Sequence, residues 1–189
     1  MDKVFVFIDG ANLYKGITNQ GGKAWDATHI DLQALCSQLI DTSSHRIIRI
    51  YYYDAVFKQE WDLARYQSQQ QYFHRLQSQN NVELRTGRLE GYPSNLREKG
   101  VDVLLSVDLI RFGLSNSYDC ALLITADGDY VPAIQLVKDM GKIVCNSYFQ
   151  NRASFHIRKI CDQFIPLELS SIQKYQLPKP KKTVAQPKK

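Results

Sequence analysis

Long apolar runs are what this chain most conspicuously lacks. Its first, Val4 to Ile8, ends at Asp9, short of the roughly 7–15 apolar residues of a signal peptide. Nothing later approaches the ~18–20 apolar residues of a membrane span, so a soluble, cytoplasmic protein is expected. Cys36, Cys120, Cys145 and Cys161 show no CxxC or other close ligand spacing. Three of them sit in apolar runs, which reads as reduced, buried thiols rather than a zinc site. There is no internal repeat, and the segment after Gln176 contains no acidic residue. That segment holds Lys179, Lys181, Lys182, Lys188 and Lys189, so the formal charge of +5 is largely a tail property and the rest of the chain is formally neutral. A basic charge balance therefore does not by itself mark a nucleic-acid surface.

What is present reads as one globular unit of 189 residues with an ordinary 44% hydrophobic content, enough for a substantial core. Residues 1–175 are expected to form one domain, and the Pro/Lys-rich 176–189, with little apolar surface to bury, a disordered tail. Strand-like runs at Val4–Ile8, Arg46–Val56, Val82–Leu89, Cys120–Thr125 and Lys142–Phe149 alternate with helical patterns. Those patterns cover Ile30–Ile40, with His29 or Asp31 near its start, then Gln59–Gln79, Asp102–Leu114 with Asp102 as N-cap, Asp129–Met140 closed by Gly141, and Ala153–Cys161. Phe164–Leu167 reads as an edge strand and Gly87–Gly100 as an irregular, exposed loop. Strands separated by helices of this length favour right-handed parallel crossovers, hence a three-layer α/β/α sandwich with a mostly parallel central sheet.

The chemistry lies in carboxylates at strand ends. Asp9 follows the first strand, Asp127 and Asp129 follow the fourth, and Asp102 opens a helix. In open α/β sheets the loops leaving the carboxyl ends of the strands form the ligand crevice, so these acids converge if the first and fourth strands are neighbours. Clustered carboxylates are costly unless a cation neutralises them, which points to a hard ion such as Mg²⁺ or Mn²⁺ with oxygen ligands. Asn12 is placed to orient a water or hold a phosphate oxygen, and Asp129 to act through water. Asp54, after Tyr51-Tyr52-Tyr53, points to the same edge of the sheet. Asp108 is peripheral, since six helical residues carry it ~9 Å beyond Asp102. Arg88, Arg97 and Lys99 are candidate phosphate contacts, and Tyr51, Tyr52, Tyr92 and Tyr130 candidate stacking residues, although tyrosines alternating in a strand are ordinarily core. Each motif alone also has a plainer reading. Asp9-Gly10 is a common turn, and Asp127-Gly128-Asp129 serves equally as a helix cap.

Taken together, Phe7-Ile8-Asp9-Gly10-Ala11-Asn12-Leu13, Tyr52-Tyr53-Asp54, Lys99-Gly100-Val101-Asp102-Val103 running on to Asp108, and Ile124-Thr125-Ala126-Asp127-Gly128-Asp129-Tyr130-Val131-Pro132 resemble the NYN domain family. More narrowly they resemble its LabA-like branch within the PIN-like nuclease group. The resemblance spans Val4 to about Leu167. It implies a divalent metal at Asp9, Asp102 and Asp127, a pocket completed by Asn12, Thr125 and Asp129, and hydrolysis of RNA phosphodiesters by metal-activated water. Two positions depart from the pattern, Ala126 where relatives often carry Gly and Gly128 where many carry Ser. The partners implied are RNA, single-stranded, with a homodimer allowed for and no membrane. The alternative is a non-catalytic RNA- or protein-binding adaptor on the same fold. A Toprim-like domain would ordinarily have Glu in the place of Asp9, and a dehalogenase-type phosphatase would need DxD where Asp9-Gly10-Ala11 stands.

Overall fold

The computed structural model describes residues 1–92 and 95–178. Strand β1 (Asp2–Asp9) sets the architecture, because both of its faces are apolar. Val4, Val6 and Ile8 enter one core and Phe5 and Phe7 the other. Successive side chains of a strand point to opposite faces, so a strand greasy on both must be covered on both.

The covering layers follow the chain. On the Val4 face lie α1 (Gly10–Asn19), α2 (Ala24–Thr28), α3 (Leu32–Leu39), α4 (Leu63–Gln77) and α8 (Leu169–Lys174). On the Phe5 face lie α5 (Val101–Leu114), α6 (Val131–Asp139) and α7 (Phe155–Ile160). Between them run β2 (His45–Val56), β3 (Val82–Tyr92), β4 (Asn95–Lys99), β5 (Cys120–Ile124), β6 (Ile143–Tyr148) and β7 (Gln163–Pro166). The seven-stranded sheet has the order β4-β3-β2-β1-β5-β6-β7. Every pairing is parallel except β3 with β4. The three-layer, mostly parallel α/β/α sandwich expected from the sequence is therefore the observed fold.

The chain winds outward from β1 through β2 to β4, then returns to place β5 on the other side of β1. Strand order reverses between β1 and β5, and a crevice opens outside the carboxyl ends of strands at such a point. Ile8 pairs with Ile124, which puts Asp9 and the segment after Ile124 side by side. The Phe5 face is held by packed rings, among them Phe7 on Tyr51 at 5.8 Å and Tyr51 on Phe112 at 5.0 Å, both stacked. Such pairs contribute about 0.5–1.5 kcal/mol each beyond area burial. Of the tyrosines considered for base stacking, Tyr51, Tyr52 and Tyr130 are buried, and Tyr92 is exposed.

Four expectations need correction or refinement. Gly87–Gly100 is not an irregular loop: β3 continues to Tyr92 and β4 returns antiparallel, with Arg88 opposite Lys99 and Glu90 opposite Arg97. The Glu90–Arg97 cross-strand pair supplies pairing energy that apolar periodicity does not reveal, whereas Arg88 and Lys99 are like charges whose juxtaposition opposes it. Asp102 is not an N-cap. Helix α5 starts at Val101 after Gly100, whose φ of +82° suits glycine. The helix expected from Asp129 begins instead with a 3₁₀ turn over Gly128–Tyr130, then α6 with Pro132 in its first turn. The segment expected to be free from residue 176 starts bound, since Gln176 bridges Ile30 and the Leu177 amide donates to the His29 carbonyl at 2.6 Å. The rest of the expected tail, residues 179–189, lies outside the described residues. No described helix is long and apolar enough to cross a membrane, and all four cysteines are buried free thiols.

Candidate active site

Asp9 closes β1 and caps α1 with the same side chain. Its Oδ1 accepts the Asn12 amide at 2.9 Å, satisfying one of the orphan donors of a helix start. The next residue has to be glycine, because a Cβ on Gly10 would lie 2.4 Å from the Tyr52 ring and 2.7 Å from the Tyr53 carbonyl oxygen. The common Asp-Gly turn is thus also a close approach of α1 to β2.

The other oxygen of Asp9, Oδ2, faces the site. The Tyr130 hydroxyl lies 3.1 Å from it and 3.1 Å from Asp102 Oδ1. A phenol has one proton, so it donates to one carboxylate at a time. Shared between two acids, that one donor leaves the pair under-satisfied, an arrangement that a proton or a cation would relieve. Burial is the largest influence on Asp9, which is 5% exposed, and it pushes the carboxyl up to about 6. Hydrogen bonds from Asn12 and Tyr130 oppose that rise, while the charges of Asp102 and Glu98 add to it. The Tyr130 phenol is itself driven up, first by burial and then by Asp9 and Asp102.

The loop after β5 is tied to the same point. The Thr125 hydroxyl donates to Asp9 Oδ2 at 3.4 Å and accepts the Asp127 amide at 3.1 Å. Asn12 Oδ1 accepts the Ala126 amide at 3.0 Å, locking this loop onto α1. From behind, Asn146 Nδ2 donates to the Thr125 and Leu123 carbonyls. Asp127 turns its Oδ1 to the Asp129 amide at 3.0 Å, capping the 3₁₀ turn, and Asp129 is exposed. Among the described residues no three His, Cys, Asp or Glu side chains form a ready-made metal site. Asp9 and Asp102 converge on one hydroxyl, whereas Asp127 reaches Asp9 only through Thr125.

Two further acids join this edge. Asp54, at the end of β2, is pushed up to about 7, first by burial and then by Glu98 and Asp9, against the Ala55 amide that it accepts. Glu98 on β4 was not foreseen. Partial desolvation and Asp102 raise its carboxyl, and Lys15 on α1 opposes them. Only the unexpected β3–β4 hairpin brings Glu98 here, so no local pattern could have marked it. Cross-strand partners share a face, so Arg88, Arg97 and Lys99 lie on the side of the hairpin opposite Glu98, with Arg88 held by Glu90 at 2.6 Å. Asp108 has structural partners: it accepts Tyr53 Oη at 3.0 Å and pairs with Arg111 at 2.8 Å and Arg85 at 3.4 Å.

Beside the acids a cavity of about 660 Å³ opens between α1, α2, α4 and the end of β2. Its wall includes Gly10, Asp54 and Glu98, so it is continuous with the carboxylate edge. The carboxylates are hard oxygen donors, partly buried and mutually repelling, which is the donor set a hard divalent cation takes.

The NYN domain family model matches residues 3–168. A crystal structure of a protein of unknown function from Vibrio parahaemolyticus is similar to this chain with a TM-score of 0.64 and 17% sequence identity. The likeness covers 93% of this chain and 96% of that one, and at this identity it speaks for the fold alone. No curated protein matches the chain.

Proposed function

Because the chain belongs to the NYN domain family, with its PIN-like nuclease-type fold, we propose that it is a divalent-metal-dependent ribonuclease of the LabA-like branch acting on single-stranded RNA in the cytoplasm. The observation that carries the reading is the pair Asp9 and Asp102, brought from a strand end and a distant helix to within 3.1 Å of one tyrosyl hydroxyl. A pair that only capped helices would have no reason to share a proton.

Asp9 and Asp102 would hold the cation, Mg²⁺ or Mn²⁺, with Asp127 drawn in from the adjoining loop. When bound, such an ion supplies Lewis acidity toward a phosphate oxygen and makes a water acidic enough to attack near neutral pH. The chain's own residues do the positioning. Asp9 is fixed by the Asn12 amide, so its other oxygen, the one that accepts the Tyr130 and Thr125 hydroxyls, is held in one orientation without a search of rotamers. Tyr130 sets the spacing of the two acids and donates its hydrogen bond to whichever bears more charge. Asn12 and Thr125 fix the β5 loop, and with it Asp127 and Asp129, against β1. With its pKa near 7, Asp54 is placed to take up or release a proton at the edge of the crevice. Lys15 is a cation adjoining the acids through Glu98 and is suited to a phosphate, whereas Arg88, Arg97 and Lys99 would contact the strand further along the hairpin.

Incubation of end-labelled single-stranded RNA with Mn²⁺, Mg²⁺ or chelator tests this. Wild type should cleave with metal only, and Asp9→Asn or Asp127→Asn should abolish cleavage. Equal cleavage by wild type and Asp9→Asn would end the proposal. One observation favours the second reading, a non-catalytic RNA-binding module: among the described residues no three acids are preassembled for a metal. Metal-independent RNA binding with no cleavage under any condition would select it.

A further inference from the structure

Resting on the ribonuclease reading, we infer that the cavity beside the carboxylates receives a single unstacked RNA base next to the scissile phosphate, so that the protein acts on unpaired rather than duplex RNA. Three observations carry this. The first is size and place. About 660 Å³ falls within the roughly 300–1,000 Å³ of small-ligand sites, room for one nucleotide and not for a helix. The cavity shares Asp54 and Glu98 with the acid edge, so a strand whose phosphate sits at Asp9 has its neighbouring base at the cavity mouth.

The second observation is the lining. Tyr14, Trp25 and Tyr72 present rings around the space. Tyr72 is fixed edge-on to Tyr52 at 5.8 Å, while Tyr14 is 40% exposed at the rim. Aromatic faces stack on any base irrespective of its sequence. The third is an unsatisfied donor. Arg75 Nε is buried and makes no hydrogen bond among the described residues, and Arg75 belongs to the cavity wall. Buried donors are nearly always paired, and a base carbonyl or phosphate oxygen would supply the acceptor. The floor is preformed, because Gln69 clamps the strand exit by accepting the Phe57 amide at 2.7 Å and donating to the Ala55 carbonyl at 2.9 Å. A preformed concave site with rings, an unsatisfied guanidinium donor on Arg75 and an acid edge is what an extruded base attached to a cleavable phosphate needs.

The test is binding in chelator, where cleavage plays no part. The two tryptophans of the chain are Trp25 and Trp61, and only Trp25 lines the cavity. In the Trp61→Phe protein a single-stranded ten-nucleotide RNA should therefore quench the remaining indole, and the same strand annealed to its complement should not. Anisotropy of the labelled single strand should show affinity falling by about 5- to 150-fold in Tyr14→Ala, the range for one lost stacking contact, and falling also in Arg75→Gln. Tyr14 is exposed enough for its loss to leave the fold intact, and unchanged melting of either variant confirms it. An unquenched Trp25 at saturating single strand, or wild-type affinity in both variants, would overturn the inference. The two readings fail separately. Quenching without metal-dependent cleavage leaves the base site standing and removes the nuclease, whereas cleavage of duplex RNA at the single-strand rate leaves the nuclease and removes the base site.

Discussion

Replacing Asp9 by Asn should stabilise the metal-free protein at neutral pH, and the size of the gain follows from the site. The Asp9 carboxyl rises from 3.8 to about 6, mainly through burial. A raised carboxyl pKa means the folded state binds its proton more tightly than the unfolded chain does. Asp9 therefore costs no stability below pH 4. The penalty grows as pH rises through the window from 4 to 6 and is complete above it. At 1.36 kcal/mol per unit, the full penalty is about 3 kcal/mol. Asn keeps the N-cap, being as good a cap as Asp; its NH2 replaces the oxygen that accepts the Tyr130 hydroxyl, which is then left to donate to Asp102 and accept from the amide. In EDTA at pH 7.5, Asp9→Asn should melt about 6–12 °C above wild type, taking roughly 2–4 °C per kcal/mol for a chain of this size, and the difference should vanish near pH 4. Thermal melts at pH 4, 5.5 and 7.5 measure it directly. An advantage equal at all three pH values, or a variant less stable at pH 7.5, would refute the reasoning.

Two further outcomes concern the frame around the site. Gly10→Ala should destabilise by about 1–3 kcal/mol, the range for overpacking, because its methyl would meet the Tyr52 ring and the Tyr53 carbonyl; urea unfolding measures the loss. Asp108→Ala should cost about 2–4 kcal/mol, below the full figure for a broken buried pair because Arg85 and Arg111 are partly exposed. Cleavage by the folded fraction of that variant should match wild type, and a selective loss of turnover would place Asp108 in the site instead.

The parallel sheet was legible because buried strands are continuous apolar runs, and Val4–Ile8 and Cys120–Ile124 need no context to be recognised. Asp9, Asp102 and Asp127 were legible as residues at strand ends and a helix start, since position relative to an element is a local property. Their mutual geometry was not. The Asp127 backbone amide meets Thr125 while its side chain turns to the Asp129 amide to cap the 3₁₀ turn, an arrangement that no local pattern specifies. The β3–β4 hairpin stayed hidden because its strands are polar and charged rather than apolar, Arg88 facing Lys99 and Glu90 facing Arg97, and such a stretch reads as a solvated loop. With it went Glu98. Helices α2 and α8 are only five and six residues long, less than two turns, and too short to show a period.

The two oxygens of Asp9 are committed to different tasks, one to the Asn12 amide and the other to Tyr130 and Thr125. The first helix is thereby bolted to the reactive edge through a single carboxyl group. A glutamate here would reach past the amide of the opening turn and leave its head group to wander. The shorter acid offers one oxygen outward, in one orientation, from the moment the strand is laid down.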